Sequence, residues 1–138
     1  MKISTKGRYA LRLMVDLAVE GQSGPVALRD VAKRQDISEK YLEQLVAPLT
    51  RAGLLKSVRG AAGGYLLTRP PEAYTAGEIL RAQEGSLAPV DCADGGHPCR
   101  RQDRCPTAPL WQRIAQAVDQ VVDSTTLQDL AEEYRARE

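Results

Sequence analysis

Phenylalanine is absent from the 138 residues, and one Trp and five Tyr make up the whole aromatic complement. The core must therefore be aliphatic, and a chain rich in Leu, Ala and Val leans towards helix. Long apolar runs are missing too: none exceeds four residues. A membrane-spanning helix needs about 20 apolar residues, so no span is expected. The opening MKISTKGRYA holds no apolar signal stretch, and the chain reads as cytoplasmic. There is one histidine, and no paired acids at catalytic spacing, metal-hydrolase pattern or nucleophile elbow, so nothing points to an enzyme. Length fits one domain with an extension, and 43% hydrophobic with 27% charged residues is globular composition.

Charge is present but unevenly divided. Residues 1–70 carry twelve Lys/Arg against six Asp/Glu, whereas 71–138 carry seven against twelve. A basic half joined to an acidic one suggests a polyanion-binding module coupled to something else.

Hydrophobic periodicity predicts a helix over 5–20 with Tyr9, Ala10, Leu13, Met14, Leu17 and Ala18 inward. A short helix follows over 28–34, then a turn at 35–37. Ser38 reads as the cap of a third helix carrying Tyr41, Leu42, Leu45, Val46 and Leu49 on one face. Pro48 should kink or strain its last turn. Residues 54–58 and 65–68 read as strands around the Gly-rich separator RGAAGG, a β-hairpin. That separator lacks the Lys-Ser/Thr of a nucleotide-binding loop. Thr75 can cap a short helix over 76–83. Beyond the aperiodic stretch 84–106, Leu110, Trp111, Ile114, Ala117, Val118, Val121 and Val122 form a long helical stripe, and Ser124 or Thr125 is placed to cap a last helix through Tyr134.

Three helices and a hairpin in this order predict a mostly α fold: a winged helix-turn-helix DNA-binding domain with a two-stranded wing and a long C-terminal helix. The helix after the turn would enter the major groove. Its polar residues are Ser38, Glu39, Lys40, Glu43 and Gln44; Gln suits adenine, Lys suits guanine or phosphate, and Glu accepts from cytosine or excludes other bases. Arg59 and Gly60 at the wing tip suit phosphate or a narrow minor groove. Lys2, Lys6 and Arg8 suit phosphate contacts. The expected ligand is double-stranded DNA.

All three cysteines lie in the aperiodic stretch, as Cys92-x6-Cys99-x5-Cys105 with His97 between them. Three thiolates within fourteen residues can converge on one centre, and thiolates suit iron–sulfur clusters and zinc alike. Arg100, Arg101 and Arg104 would favour thiolate over thiol. A Cys3His zinc site through His97, or a thiol-redox switch, is the alternative. The domains are read as 1–70 for DNA, 71–106 for a short helix and the cysteine loop, and 107–138 for the long and last helices.

The segments MKISTKGRYALRLMVDLA, ISEKYLEQL, SVRGAAGGYLL and CPTAPLW, with the cysteine trio, resemble the IscR-like bacterial winged-helix regulators across essentially the whole chain. The resemblance implies a homodimer joined through the helix over 107–122, bound to a palindromic operator. It also implies a 2Fe-2S cluster on Cys92, Cys99 and Cys105 whose state changes DNA affinity or site choice. The family's site-discriminating glutamate corresponds to Glu43, its base-reading glutamine to Gln44 and its wing arginine to Arg59. Cluster-assembly regulators carry a histidine three residues beyond the last cysteine, where Ala108 stands here. Nitric-oxide-sensing relatives use a carboxylate where this chain has Arg8. A fourth ligand must come from His97, Asp91, Asp94, Asp103 or the partner subunit.

Overall fold

The computed structural model describes residues 2–95 and 99–138. Among them run α1 (Thr5–Glu20), α2 (Leu28–Gln35), α3 (Glu39–Arg51), β1 (Leu55–Val58), β2 (Gly64–Leu67), α4 (Ala76–Glu84), α5 (Ala108–Ser124) and α6 (Leu127–Ala136). This is the winged helix-turn-helix order expected from the sequence.

Helix α1 is the centre of the molecule. Every residue from Leu13 to Ala18 is buried, because α2, α3, α4 and α6 all pack against it. An amphipathic stripe accounts for Leu13, Met14 and Leu17 but not for Asp16, which is 1% exposed. Its carboxylate accepts two hydrogen bonds from Arg34, at 3.0 and 2.8 Å, and one from the buried Gln35 amide at 3.0 Å. These bonds tie α1 to the end of α2. The turn into α3 begins directly afterwards at Asp36, whose φ of 54° is left-handed. Gln35, expected in a turn, is instead the last residue of α2 and 5% exposed. Replacing Asp16 by Ala leaves the Gln35 amide without its partner in the core and Arg34 without its anchor. A loss of about 3 kcal/mol is expected in urea unfolding. Arg34→Lys should lose less, because a single ammonium keeps one of the two bonds.

Ser38 caps α3 as expected, accepting from the Tyr41 N–H at 3.1 Å. Helix α3 continues through Pro48 to Arg51, with the Thr50 hydroxyl bonded to the Val46 carbonyl at 2.7 Å. The hairpin pairs Leu55 with Leu67 and Val58 with Gly64. Its free side is closed by Val26, which exchanges backbone bonds of 3.0 and 2.9 Å with Tyr65. Gly64 stands between Val58 and the Val26 carbonyl at a φ of 153°; a side chain there would strike that carbonyl. Tyr74 locks the hairpin to the segment that leads into α4. Fully buried, its hydroxyl donates to the Leu54 carbonyl at 2.8 Å and accepts from the Thr68 N–H at 2.8 Å.

Thr75 caps α4 through the Glu78 N–H. The cap of α6 is Thr126, not Ser124 or Thr125: Thr126 and Asp129 exchange bonds in a capping box. The Ser124 and Thr125 hydroxyls turn back onto carbonyls of the last turn of α5. Leu127 and Ala131 of α6 lie in the same core cluster as α1 and α3, so α6 packs with the head. Helix α5 stands apart. Ala108 is its one buried residue, and Leu110 and Val121 are 46% and 64% exposed. Arg81 of α4 holds it through Asp119 at 2.8 Å and Asp123 at 2.6 Å. The same arginine keeps the Asp123 carboxyl below the usual carboxylate range by hydrogen bonding. No helix among the described residues is long and apolar enough to cross a membrane.

Candidate nucleic-acid interface and cysteine loop

The residues expected to meet DNA are all exposed: Lys2, Lys6 and Arg8 at the start of α1, Ser38, Glu39, Lys40, Glu43 and Gln44 on α3, and Arg59 and Gly60 on the wing. Those on α3 are exposed because its opposite face, Leu42, Leu45, Val46 and Leu49, is committed to the core. The starts of α1 and α3 are joined by an edge-on contact of Tyr9 and Tyr41, ring centres 5.8 Å apart. Arg8 and Arg12 lie 5.9 and 5.1 Å from the Tyr9 ring centre, in cation–π reach. This contact joins the beginning of α1, where Lys6 and Arg8 stand, to the first turn of α3, which carries Lys40. At the wing tip Gly60 has a φ of 106°, a conformation that keeps the loop beside Arg59 narrow.

The cysteine loop leaves α4 at Gly85. Cys92 sits in a single 3-10 turn, Asp91–Ala93, packed against α5. Cys99 opens a run of turns in which Gln102 bonds back to the Cys99 carbonyl at 3.0 Å and Cys105 to the Arg101 carbonyl at 2.7 Å. All three cysteines are free thiols, Cys99 exposed and the others half-buried. Cys105 lies two residues before Thr107, the N-cap of α5. The Thr107 hydroxyl, 3.1 Å from its sulfur, holds the thiol below its ordinary range, with backbone N–H groups of Thr107 and Ala108 and the charge of Arg101 adding to it. A 460 Å³ cavity lined by Arg100, Arg101, Asp103, Arg104, Cys105 and Pro106 adjoins it.

Among the described residues no three His, Cys, Asp or Glu side chains are gathered into a metal-holding group. His97 lies outside the described residues. The donor set nevertheless fits a thiolate-held centre: three unpaired thiols on one short segment beside three arginines. Such sites commonly assemble as the metal binds. Of the other proposed fourth ligands, Asp91, Asp94 and Asp103 are all exposed on the same loop.

Three features had no clear sequence signal: the Asp16–Arg34–Gln35 network, the Tyr74 anchor, and the side chains of Gln83 and Glu84. Glu84 Oε1 accepts from the Ser4 N–H, and Gln83 donates to a carbonyl of α3. A polar side chain interrupting an apolar helix, as Asp16 does between Val15 and Leu17, is the one hint available.

A family model described as Rrf2, an iron-dependent transcriptional regulator, matches residues 3–133. The HTH-type transcriptional regulator CymR of Bacillus subtilis is 51% identical over 131 residues, 95% of this chain and 90% of that protein. The HTH-type transcriptional regulator IscR of Yersinia enterocolitica is 40% identical over 130 residues, 94% of this chain and 79% of its own length. Among solved structures, CymR, the global cysteine regulator of B. subtilis, superposes with a TM-score of 0.79 at 50% identity, covering 96% of this chain and 98% of that one. The IscR of T. potens has a TM-score of 0.79 at 42% identity, covering 97% and 88%.

Proposed function

The chain belongs to the Rrf2 family of transcriptional regulators, and from that premise we propose that it is a homodimeric DNA-binding regulator controlled by a 2Fe-2S cluster on Cys92, Cys99 and Cys105. The observation that carries the reading is the free cysteine trio on the single connection between α4 and α5, in a chain matched by an iron-dependent regulator model. The cluster would supply a centre that is lost or altered by oxidation, iron shortage or nitric oxide. The protein's own residues do the rest. The α3 face with Glu43 and Gln44 reads bases in a palindromic site, and the wing with Arg59 and Gly60 grips the backbone. The start of α1 neutralises phosphate. Glu43 acts by exclusion, since a carboxylate facing the duplex cannot pair with the acceptors of guanine or thymine. The working division is 1–70 for DNA, 71–106 for a short helix and the cluster loop, and 107–138 for the dimerisation helix and a last helix that packs back on the head.

Ala108 cannot replace a ligating histidine, because its side chain has no donor and is buried at the start of α5. Arg8 cannot replace a ligating carboxylate. The fourth ligand therefore comes from His97, from a loop aspartate or from the partner subunit. The thiol below its ordinary range at Cys105, and the likeness to a cysteine regulator, favour one second reading: a thiol switch or a structural zinc site in the same loop. Anaerobic purification followed by an absorbance spectrum and metal and sulfide assay decides between them. A brown protein with iron and sulfide supports the cluster. A colourless one with stoichiometric zinc, or with neither metal, overturns it.

The dimer seam is α5. Ile114, Ala117, Val118, Val121 and Val122 line one wholly apolar hollow on a helix whose one buried residue is Ala108. Such a surface on a small domain marks an interface. Val118→Asp should shift the protein from dimer to monomer in sedimentation velocity while its circular dichroism stays unchanged. A variant that stays dimeric would place the seam elsewhere.

A further inference from the structure

The cysteine loop begins at Gly85, and the two residues before it reach both elements that the proposed function assigns to DNA. Gln83 Nε2 donates to the Leu45 carbonyl of α3 at 2.8 Å. Glu84 Oε1 accepts from the Ser4 N–H at 2.8 Å and also from the Ser4 hydroxyl. Ser4 is the N-cap of α1, and the same hydroxyl accepts from the Gly7 N–H at 3.2 Å. By accepting the hydroxyl's hydrogen bond, the Glu84 carboxylate leaves the oxygen's lone pairs turned toward that N–H. One side chain thus fixes the cap from which Lys2, Lys6 and Arg8 project. The approach is close: a Cβ on Gly7 would stand 2.5 Å from Glu84 Oε1 and 3.0 Å from Ile3. Behind these two residues α4 is rigid, with Ile79 and Leu80 in the core.

We propose that Gln83 and Glu84 are positioning residues that transmit the state of the cysteine loop to the recognition helix and to the cap of α1. The inference rests on the DNA-binding reading but not on the identity of the metal. A change in the loop pulls first on Gly85, which caps α4 at a φ of 76°. It then pulls on the two side chains whose hydrogen bonds hold Leu45 and Ser4. Coupling of this kind is reciprocal: if the loop governs the DNA-facing elements, DNA bound there must alter the loop by the same factor.

The test uses metal-free full-length protein and a duplex enriched by the wild type from a randomised library. Alkylation rates of Cys99 and Cys105 are measured residue by residue with and without saturating duplex. In the wild type the duplex should slow alkylation on the order of fivefold. Glu84→Ala should lose that effect, and Glu84→Gln, which still accepts from Ser4, should keep part of it. Gly7→Ala is the decisive variant. Its methyl group displaces the carboxylate, and alanine's helix preference over glycine offsets part of the Ser4 bonds lost, so circular dichroism should show the fold kept. It should bind duplex at saturation and leave alkylation unaffected by it. An unchanged alkylation rate in wild type on binding duplex overturns the relay alone, as does a full effect persisting in both Gly7→Ala and Glu84→Ala. Failure to enrich any duplex overturns the DNA-binding reading and the relay with it.

Discussion

Affinity for a palindromic duplex should fall by about three decades as salt rises from 50 to 200 mM, if about six phosphates are neutralised. Six exposed cations of the basic half lie on the segments assigned to DNA: Lys2, Lys6 and Arg8 at the start of α1, Lys40 on α3, Lys56 on β1 and Arg59 at the wing tip. None of these is spent in an ion pair among the described residues, whereas Arg34, Arg69 and Arg81 are bound to Asp16, Glu78 and Asp119 with Asp123. The steepness therefore comes from the first group. Each phosphate contact removed should lower the slope of log affinity against log salt by about one. Arg59→Ala should do so at the wing, whereas Arg69→Ala should leave the slope alone and weaken the fold at Tyr74, over whose ring Arg69 lies at 4.5 Å. Titration of a labelled duplex at four salt concentrations measures both slopes. Affinity that is flat in salt would remove the DNA-binding reading.

The sequence is legible where local physics decides the structure. Ser38 and Thr75 are caps because a hydroxyl preceding an apolar periodic run satisfies a helix's orphan N–H groups, and both do so. The hairpin was legible because strand residues flank glycines that only a turn needs. Three successive hydroxyl residues, Ser124 to Thr126, defeated the same logic; the choice among them is made by Asp129, which completes the box with Thr126 alone. The burial of Asp16 was not legible, since its partners lie 18 and 19 residues away and only the packing of α2 on α1 brings them near. Val26 joins the hairpin edge for the same kind of reason: one residue has no periodicity to read. At the candidate site, the composition of the thiol set was plain, but its convergence is not a property of spacing. Loop residues with no repeating pattern take their places from what binds them.

Single replacement of Cys92, Cys99 or Cys105 by Ala should abolish the visible absorbance of anaerobically isolated protein. A centre left with two protein thiolates has lost one of its three cysteine ligands, and the loop offers no fourth cysteine. The fold should survive all three changes. The core cluster draws on α1, α2, α3, β1, Tyr74, Ile79 of α4 and α6, and contains no described residue from 85 to 107. Far-ultraviolet circular dichroism and the urea midpoint of the metal-free forms should thus match those of metal-free wild type. DNA binding should change in affinity or in the set of sites selected without disappearing, because the apo form keeps a folded head and a switch needs two competent states. The three positions should not be equivalent in the metal-free state. At Cys105 a hydroxyl, backbone N–H groups and an arginine favour the thiolate, so it should be the fastest of the three to react with an alkylating reagent near neutral pH. His97→Ala then assigns the fourth position: lost absorbance gives it to His97, and full retention moves it to an aspartate or to the partner subunit. Retention of the chromophore in all three cysteine variants would end the cluster reading.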